Sequence, residues 1–264
     1  MTDAMRALGS RAKGLELDDV LPAARKLLEK EPRNFDELRG LLQERFPEVN
    51  ERALGYATRM SLPLVMVPTE DRWAFPAKAD FTPAETWLGR PLADADPEAL
   101  VLRYLAAFGP AAAADMQTWS GMKGMKAVLK GLGDRLETFE DENGRQVFDL
   151  PDAPRPGEET DAPPRFLPEF DNLVLSHADR TRLLADEHRP AVTTKNLRVR
   201  ATFLWDGFVA GTWKVERRKA KATLHITPFG KLPRGAAKAL SEEGEAVLAF
   251  VEEDAATYDV KLDA

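Results

Sequence analysis

The 264-residue chain has no cysteine, which removes disulfides, thiolate nucleophiles and zinc–thiolate centres together. Histidine is nearly as scarce. Only His177, His188 and His225 occur, and no two of them have the spacing of paired metal ligands. No run of about eighteen apolar residues is present, so no membrane span is expected. The opening MTDAMRALGSRAKG lacks the apolar stretch of a secretory signal, and no G-x-S-x-G nucleophile elbow occurs. These absences point to a soluble cytoplasmic protein that works without metal or other cofactor, nucleoid-associated if it binds DNA.

What is present is unevenly charged. The formal net charge is −7, yet residues 195–238 carry eleven Lys or Arg against two acids, Asp206 and Glu216. Residues 136–171 carry eleven acids against three arginines, and the tail after Lys238 is acidic as well. Segregated charge lets an acidic chain keep a basic face, so the sign of the total excludes neither nucleic acid nor a protein partner docked on acidic surface.

One order of elements occurs twice. Leu17 to Lys30 places Leu21, Ala24, Leu27 and Leu28 on one helical face, with Asp18 or Asp19 to cap it and Pro32 to stop it. Asn34 caps a second helix, FDELRGLLQERF, with Glu37 placed as in a capping box. A third helix, NERALGYATRM, leads to the strand-like LPLVMVP, the polar tip TEDR and a return strand WAFP. From Asp96 the order repeats: PEALVLRYLAAF ended by Gly109-Pro110, then AAAADMQTWSGM, KGMKAVLKGL, and strands RLETFE and RQVFDL around DENG, whose Asn143-Gly144 suits a hairpin turn. Three helices and a two-stranded ribbon describe a winged helix, a helix-turn-helix variant. The expected architecture is α+β: a winged helix over 1–90, another over 91–150, a proline-rich acidic linker over 151–164, and a β-rich domain with a terminal helix over 165–264.

In that last domain LRVRATFLWDGFVAGTWKVERRKAKATLHITPF should form a three-stranded meander turning at Asp206-Gly207 and Arg218-Lys219, with helix 235–253 packed on it and the strand-like FLPEFDNLVL added. Trp205 and Trp213 are expected in its core.

Two sets of cations are candidates for contact with double-stranded DNA. Lys123, Lys126 and Lys130 follow spacings of three and four on the third helix of the second copy, the element that can enter a major groove. Lysine contacts phosphate more readily than it reads a base; the bland alternative is a solvated face. In the first copy Arg52 and Arg59 are diluted by Glu48 and Glu51. The second set lies in the β-rich domain. Arg198 and Arg200 would share a strand face, while Lys214, Arg217, Arg218, Lys219 and Lys221 crowd a hairpin end that can follow a phosphate backbone. The bland alternative there is a sheet edge blunted by charge.

Residues 165–184, RFLPEFDNLVLSHADRTRLL, concentrate further polar groups. Ser176, His177 and Asp179 make a poor triad, because neighbours in an extended segment point to opposite faces. Glu169 and Asp171 could share a face, but a turn fits better, with Asp171 bonding its own backbone and Arg180 or Arg182 folding back to pair with it. His177 reads as a hydrogen-bonded surface group. The stretch is expected to lock the third region to the winged helices.

LPEFDNLVLSHADRTRLL, with WLGRPL and RYLAAFGPAAAADMQTWSG upstream and ATFLWDGFVAGTW downstream, resembles the family of winged-helix DNA-binding proteins that includes the AlkZ/YcaQ-type DNA glycosylases, over nearly the whole chain. The resemblance implies tandem winged helices and a β-rich C-terminal domain around a concave DNA channel, and metal-free excision of alkylated bases or unhooking of interstrand crosslinks. It also implies a catalytic Gln-x-Gln or Gln-x-Asp motif in an extra N-terminal winged helix. Here Gln43, Gln117 and Gln146 are followed two residues later by Arg45, Trp119 and Phe148, so no catalytic residue carries over, and the chain reads as beginning after that first winged helix. Phe170, Asp171 and Arg180 match the family pattern without an assigned role. The expectation is a DNA-binding repair protein without base-excision chemistry of its own. The alternatives are an active glycosylase missing its N-terminal domain and a non-enzymatic interaction module.

Overall fold

The computed structural model describes residues 8–70, 73, 74, 76 and 78–263, and the chain forms two compact units, Met1–Ala95 and Asp96–Ala264. In the first, α1 (Leu17–Lys30) buries Val20, Ala23, Ala24 and Leu28. Its N-cap is Glu16, which makes no side-chain cap bond, and Asp18 and Asp19 lie inside the first turn. There they complement the helix dipole without capping an amide. α2 (Phe35–Arg45) is capped as expected: the Asn34 side chain accepts from the amides of Asp36 and Glu37. Asn50 accepts from Ala53 at the start of α3 (Glu51–Ser61). Leu28, Leu38, Leu42, Leu54 and Ala57 meet in a core closed to solvent.

β1 (Leu64–Met66) pairs antiparallel with β2 (Phe81–Pro83). The return strand thus lies beyond WAFP; Trp73 and Ala74 form a turn and bend, while Asp71, Arg72 and Phe75 fall outside the described residues. Arg33, between α1 and α2, bridges Phe81 through two backbone bonds of 3.1 and 2.8 Å. A short α4 (Ala84–Leu88) ends at Gly89, whose φ of +63° suits a residue without Cβ.

The second unit opens with the same sequence of elements. α5 (Pro97–Phe108) is capped by Asp96, which accepts from Ala99. α6 (Ala113–Ser120), α7 (Met125–Leu132) and the antiparallel pair β3 (Glu137–Glu140) and β4 (Gln146–Asp149) follow. Ala111, between α5 and α6, bridges Phe148, as Arg33 bridges Phe81 in the first unit. Residues 151–164 contain no helix or strand. They are strapped back at Arg155, which pairs with Glu137 at 3.0 Å and lies 4.9 Å over the Phe139 ring.

The rest is a five-stranded sheet in the order β5 (Arg165–Leu167), β6 (Thr202–Trp205), β7 (Phe208–Arg218), β8 (Lys221–Pro228), β9 (Thr257–Leu262). Between β5 and β6 lie the short helices α8 (Asn172–Leu175) and α9 (Arg189–Val192). The meander is present, its first turn at Asp206-Gly207 with φ of +51° and +77°, the left-handed pair that matches strand twist. Arg218 pairs with Lys221, so the second turn is Lys219-Ala220, one residue later than expected. NLVL is helical, not extended, because Asp171 accepts from the Leu173 amide and starts a turn. α10 (Ala236–Val251) carries the chain to β9, which runs parallel to β8 and was not anticipated. A Cβ at Gly211 would stand 2.4 Å from both the Phe203 ring and the Thr227 carbonyl oxygen, so only glycine lets β7 pass that ring. Trp213 packs on the sheet core and donates to the Leu167 carbonyl at 2.8 Å.

Candidate functional site

The polar stretch 165–184 closes onto the three-helix part of the second unit through a buried network. Tyr104, on α5, donates its hydroxyl to the Ser176 carbonyl at 2.6 Å. Burial, then the nearby Asp115 carboxylate, raises that phenol well above its ordinary pKa, so it stays a donor. Asp115, fully closed to solvent, uses one oxygen to accept from Ala112 at 2.8 Å and cap α6. Its other oxygen accepts from Ala178 at 3.0 Å and stands 3.6 Å from the Arg145 guanidinium. Arg145 also pairs with Asp141 at 2.8 Å and approaches Asp179 at 3.8 Å. The buried carboxylate is therefore hydrogen-bonded through both oxygens, which offsets the cost of taking such a polar group out of water.

His177 is part of this lock and is only 2% exposed, which corrects the expectation of a surface histidine. Burial first, then the neighbouring Arg182, push its pKa down to about 4, so the ring is neutral near pH 7. The Arg182 guanidinium, which can only donate, lies 3.2 Å from His177 Nε2. The proton therefore sits on Nδ1, which donates to Ser176 Oγ at 2.9 Å, and Ser176 passes its own proton toward the Leu173 carbonyl at 3.3 Å. Ser176 and His177 do meet, against the opposite-faces argument, because Ser176 is the C-cap of α8 with αR backbone angles and is not extended. The direction of the bonds is nonetheless wrong for a nucleophile and its base: Nδ1 gives a proton and cannot take one.

Asp171 makes no ion pair with Arg180 or Arg182. Arg180 Nε reaches the His177 carbonyl at 3.4 Å, Arg182 donates to the Pro110 carbonyl at 2.9 Å, and Asp171 is spent on the start of α8. Glu169 is taken by Arg198 in a two-oxygen contact of 2.7 and 3.0 Å. Glutamines too hold backbone. Gln43 donates to the Phe46 and Pro47 carbonyls, and Gln117 accepts from the Met125 amide; Gln146 lies exposed on β4.

The candidate DNA-contacting cations divide into free and engaged groups. Lys126 and Lys130 lie on α7, one turn apart and exposed, while Lys123 precedes Gly124, the N-cap, and is not on the helix. Arg198 and Arg200 are not on a strand: the chain from 195 to 200 is a loop touching Thr193 by one bridge at Val199. Arg217 is consumed by Glu252 at 3.1 Å, the Asp254 carbonyl at 3.1 Å and the Lys219 carbonyl at 2.6 Å. Arg218 pairs with Glu216 at 2.7 Å and Lys221 with Asp259 at 2.9 Å. The acidic tail, distant in sequence, thus neutralises much of the hairpin end. Among the described residues Lys123, Lys126, Lys130, Arg200, Lys214 and Lys219 have no carboxylate partner.

A hollow lies against α3, on the helix whose Arg52 and Arg59 the sequence pattern discounted. Arg52, Gly55, Tyr56 and Arg59 follow one face of that helix and, with Phe35 and Arg39 from α2, line a hollow of about 390 Å³. Arg59 lies 4.3 Å over the Phe35 ring. Arg39 pairs with Asp36 and, at 3.4 Å, with Glu51, so this face is partly neutralised. The signal available was the spacing of Arg52, Tyr56 and Arg59, at intervals of four and three. Among the described residues no three His, Asp or Glu side chains gather as a metal site, and no helix is long and apolar enough to cross a membrane.

A family model described as DNA glycosylase AlkZ-like matches residues 1–250. An interstrand DNA cross-link repair glycosylase of Streptomyces sahachiroi is 28% identical over 168 residues, which is 60% of this chain and 43% of that protein; the chain spans less than half the length of this curated relative. The solved structure of the Streptomyces sahachiroi DNA glycosylase AlkZ aligns with a TM-score of 0.73 over 98% of this chain and 74% of that one, at 22% identity. At that identity the likeness is one of fold.

Proposed function

Because this chain belongs to the AlkZ-like DNA glycosylase family, we propose that it binds double-stranded DNA in the repair of alkylated or crosslinked bases, base-excision chemistry residing outside the chain. The two helix–helix–helix–hairpin units are winged helices, each with the same bridge from the first interhelical turn to the return strand. The second of them, over 91–150, and the β-rich domain over 165–264 supply the phosphate contacts. The observation that carries this reading is the set Lys123, Lys126 and Lys130, exposed around the third helix with no carboxylate partner among the described residues. Arg200, Lys214 and Lys219 are the other candidate cations without a carboxylate partner among the described residues, whereas Arg198, Arg217 and Arg218 must exchange an existing ion pair before they can reach a phosphate.

The roles of Gln43 and Gln117, bonded to their own backbone surroundings, support placing the chemistry elsewhere. The test is fluorescence anisotropy of the full chain with a plain and an alkylated duplex at several salt concentrations. Binding should weaken steeply with salt, and the triple change of Lys123, Lys126 and Lys130 to Ala should reduce the log–log slope by about 2 to 3, at roughly 0.9 per lost phosphate contact. No binding at low salt would sink the reading. Base release from the alkylated duplex by this chain would sink its second clause.

A further inference from the structure

Phe170 and Leu197 stand out on two counts. Each is a bulky residue in the left-handed backbone region, with φ of +59° and +60°. Each is also open to solvent, Phe170 at 54% and Leu197 at 78%. A strained backbone that turns an apolar side chain outward gains nothing for the core, so folding alone does not account for it. The two loops that carry them are joined. The Phe170 amide donates to the Val199 carbonyl at 3.2 Å, and the Arg198–Glu169 pair ties the flanking residues. Leu197 is held by its amide on the Thr194 carbonyl at 2.9 Å, and the Arg198 amide by the Thr194 hydroxyl at 3.1 Å. Beneath them Val174, Val192 and Val199 are buried in one core cluster. The side chains therefore stand on a rigid base.

We infer that Phe170 and Leu197 form a wedge that enters a distorted DNA duplex at an unstacked base step. The inference rests on the DNA-binding reading above and gives a role to the Phe170 position. The surroundings select this occupant. Lys195 and Arg200, free of carboxylate partners among the described residues, lie within three residues of Leu197 on the same exposed loop, suited to contact phosphates. The apolar surface a duplex can offer is the face of a base pair at an opened step. Opening is cheapest where a base is damaged or missing, so the wedge should distinguish such a duplex from an intact one.

The experiment uses the full chain and two duplexes of one sequence, one intact and one with a stable abasic analogue beside 2-aminopurine. Wild type should prefer the abasic duplex and change the 2-aminopurine fluorescence. The double variant Phe170→Gly, Leu197→Gly removes both side chains while permitting the same backbone. It should fold as well as wild type by circular dichroism and thermal melting, lose about tenfold in affinity for the abasic duplex, in line with stacking of one base on an aromatic ring, and lose the fluorescence change. Affinity for the intact duplex should fall far less. If wild type binds DNA but the variant keeps both the preference and the fluorescence change, the wedge is wrong and the DNA-binding reading survives. If wild type binds neither duplex, both fail. If wild type instead self-associates in sedimentation and the variant does not, the pair is a protein contact and the wedge is overturned.

Discussion

The two helix–helix–helix–hairpin units use the same position in different ways. The fourth residue from the cap of the second helix is Glu37 in the first unit and Asp115 in the second. Glu37 is exposed, and the helix end is capped by the Asn34 side chain, which accepts from the Asp36 and Glu37 amides. Asp115 has no such neighbour, since Ala112 occupies the cap, and so it satisfies the helix end itself. A shorter side chain held closed to solvent keeps a second oxygen for the Ala178 amide and the Arg145 guanidinium. One carboxylate thus became a local decoration and the other a joint to the sheet region. The difference lies in whether the chain supplied a separate cap.

The largest expected effect tests that contrast. Asp115→Ala leaves the Ala112 and Ala178 amides without their acceptor and should cost about 3 kcal/mol or more in the second unit, the scale for charged hydrogen bonds lost from a buried site. Glu37→Ala in the first unit should cost less than about 0.5 kcal/mol. Hydrogen exchange read separately in the two units during a urea series measures both. Equal losses would break the comparison.

The next effect is a histidine-linked pH dependence, confined to Asp96–Ala264 because all three histidines lie there. His177 titrates near 4 when folded against an ordinary 6.5. Between those values the unfolded chain binds the proton and the folded chain does not, so stability falls as pH drops from about 6.5 to about 4. The full span is worth at most about 3 kcal/mol. His177→Gln, neutral throughout, should flatten the slope of the second unit and leave the first unchanged. Melting temperatures between pH 7 and 4.5 report it.

Smaller again is the contrast between the two third helices as DNA contacts. Arg52→Ala with Arg59→Ala should change the salt slope by less than the lysine triple change, because Asp36 already lines the α3 hollow, Glu51 pairs with Arg39 and Arg59 is stacked on Phe35. A larger change from the arginine pair would make the first unit the principal contact and reverse the assignment. Salt titrations of both variants on one duplex decide it, at roughly one unit of slope per phosphate.

Local signals made most elements legible. Asn34, Asn50 and Asp96 each cap a helix, and the hairpin turns at Asn143-Gly144 and Asp206-Gly207 lie where turn chemistry placed them. What was missed depended on distant partners. β9 is a short strand in an acidic tail and exists because α10 returns it to β8. The aromatic WAFP looked like the return strand, but pairing with Arg33 and Leu64–Met66 selected Phe81–Pro83 instead. Asp115 drew no expectation from the sequence, although AAAAD offers no side chain to cap the helix other than that aspartate. The basic hairpin was legible as a charge run, but Glu252, Asp254 and Asp259, which neutralise it, come from some 35 residues further on.

The subtlest contrast lies in how the chain makes left-handed turns. From 96 to 150 every residue with positive φ is glycine: Gly109, Gly121, Gly124, Gly133 and Gly144. From 165 onward Phe170, Leu197, Asp206 and Lys219 also take that conformation. For a residue with a Cβ it costs about 1–2 kcal/mol, less for Asp206, whose short polar chain tolerates it. Phe170→Gly should remove that cost but add roughly 0.5–1 kcal/mol of unfolded-chain entropy, and an exposed ring surrenders little burial. The net is a gain of about 0.5 kcal/mol, whereas Gly144→Ala, at φ of +71°, should lose about 1 kcal/mol for the same steric reason. Denaturant midpoints of the two variants measure the pair. A loss of stability at Phe170→Gly would mean that the ring supports the fold after all, and its strained, outward placement would then no longer call for a ligand.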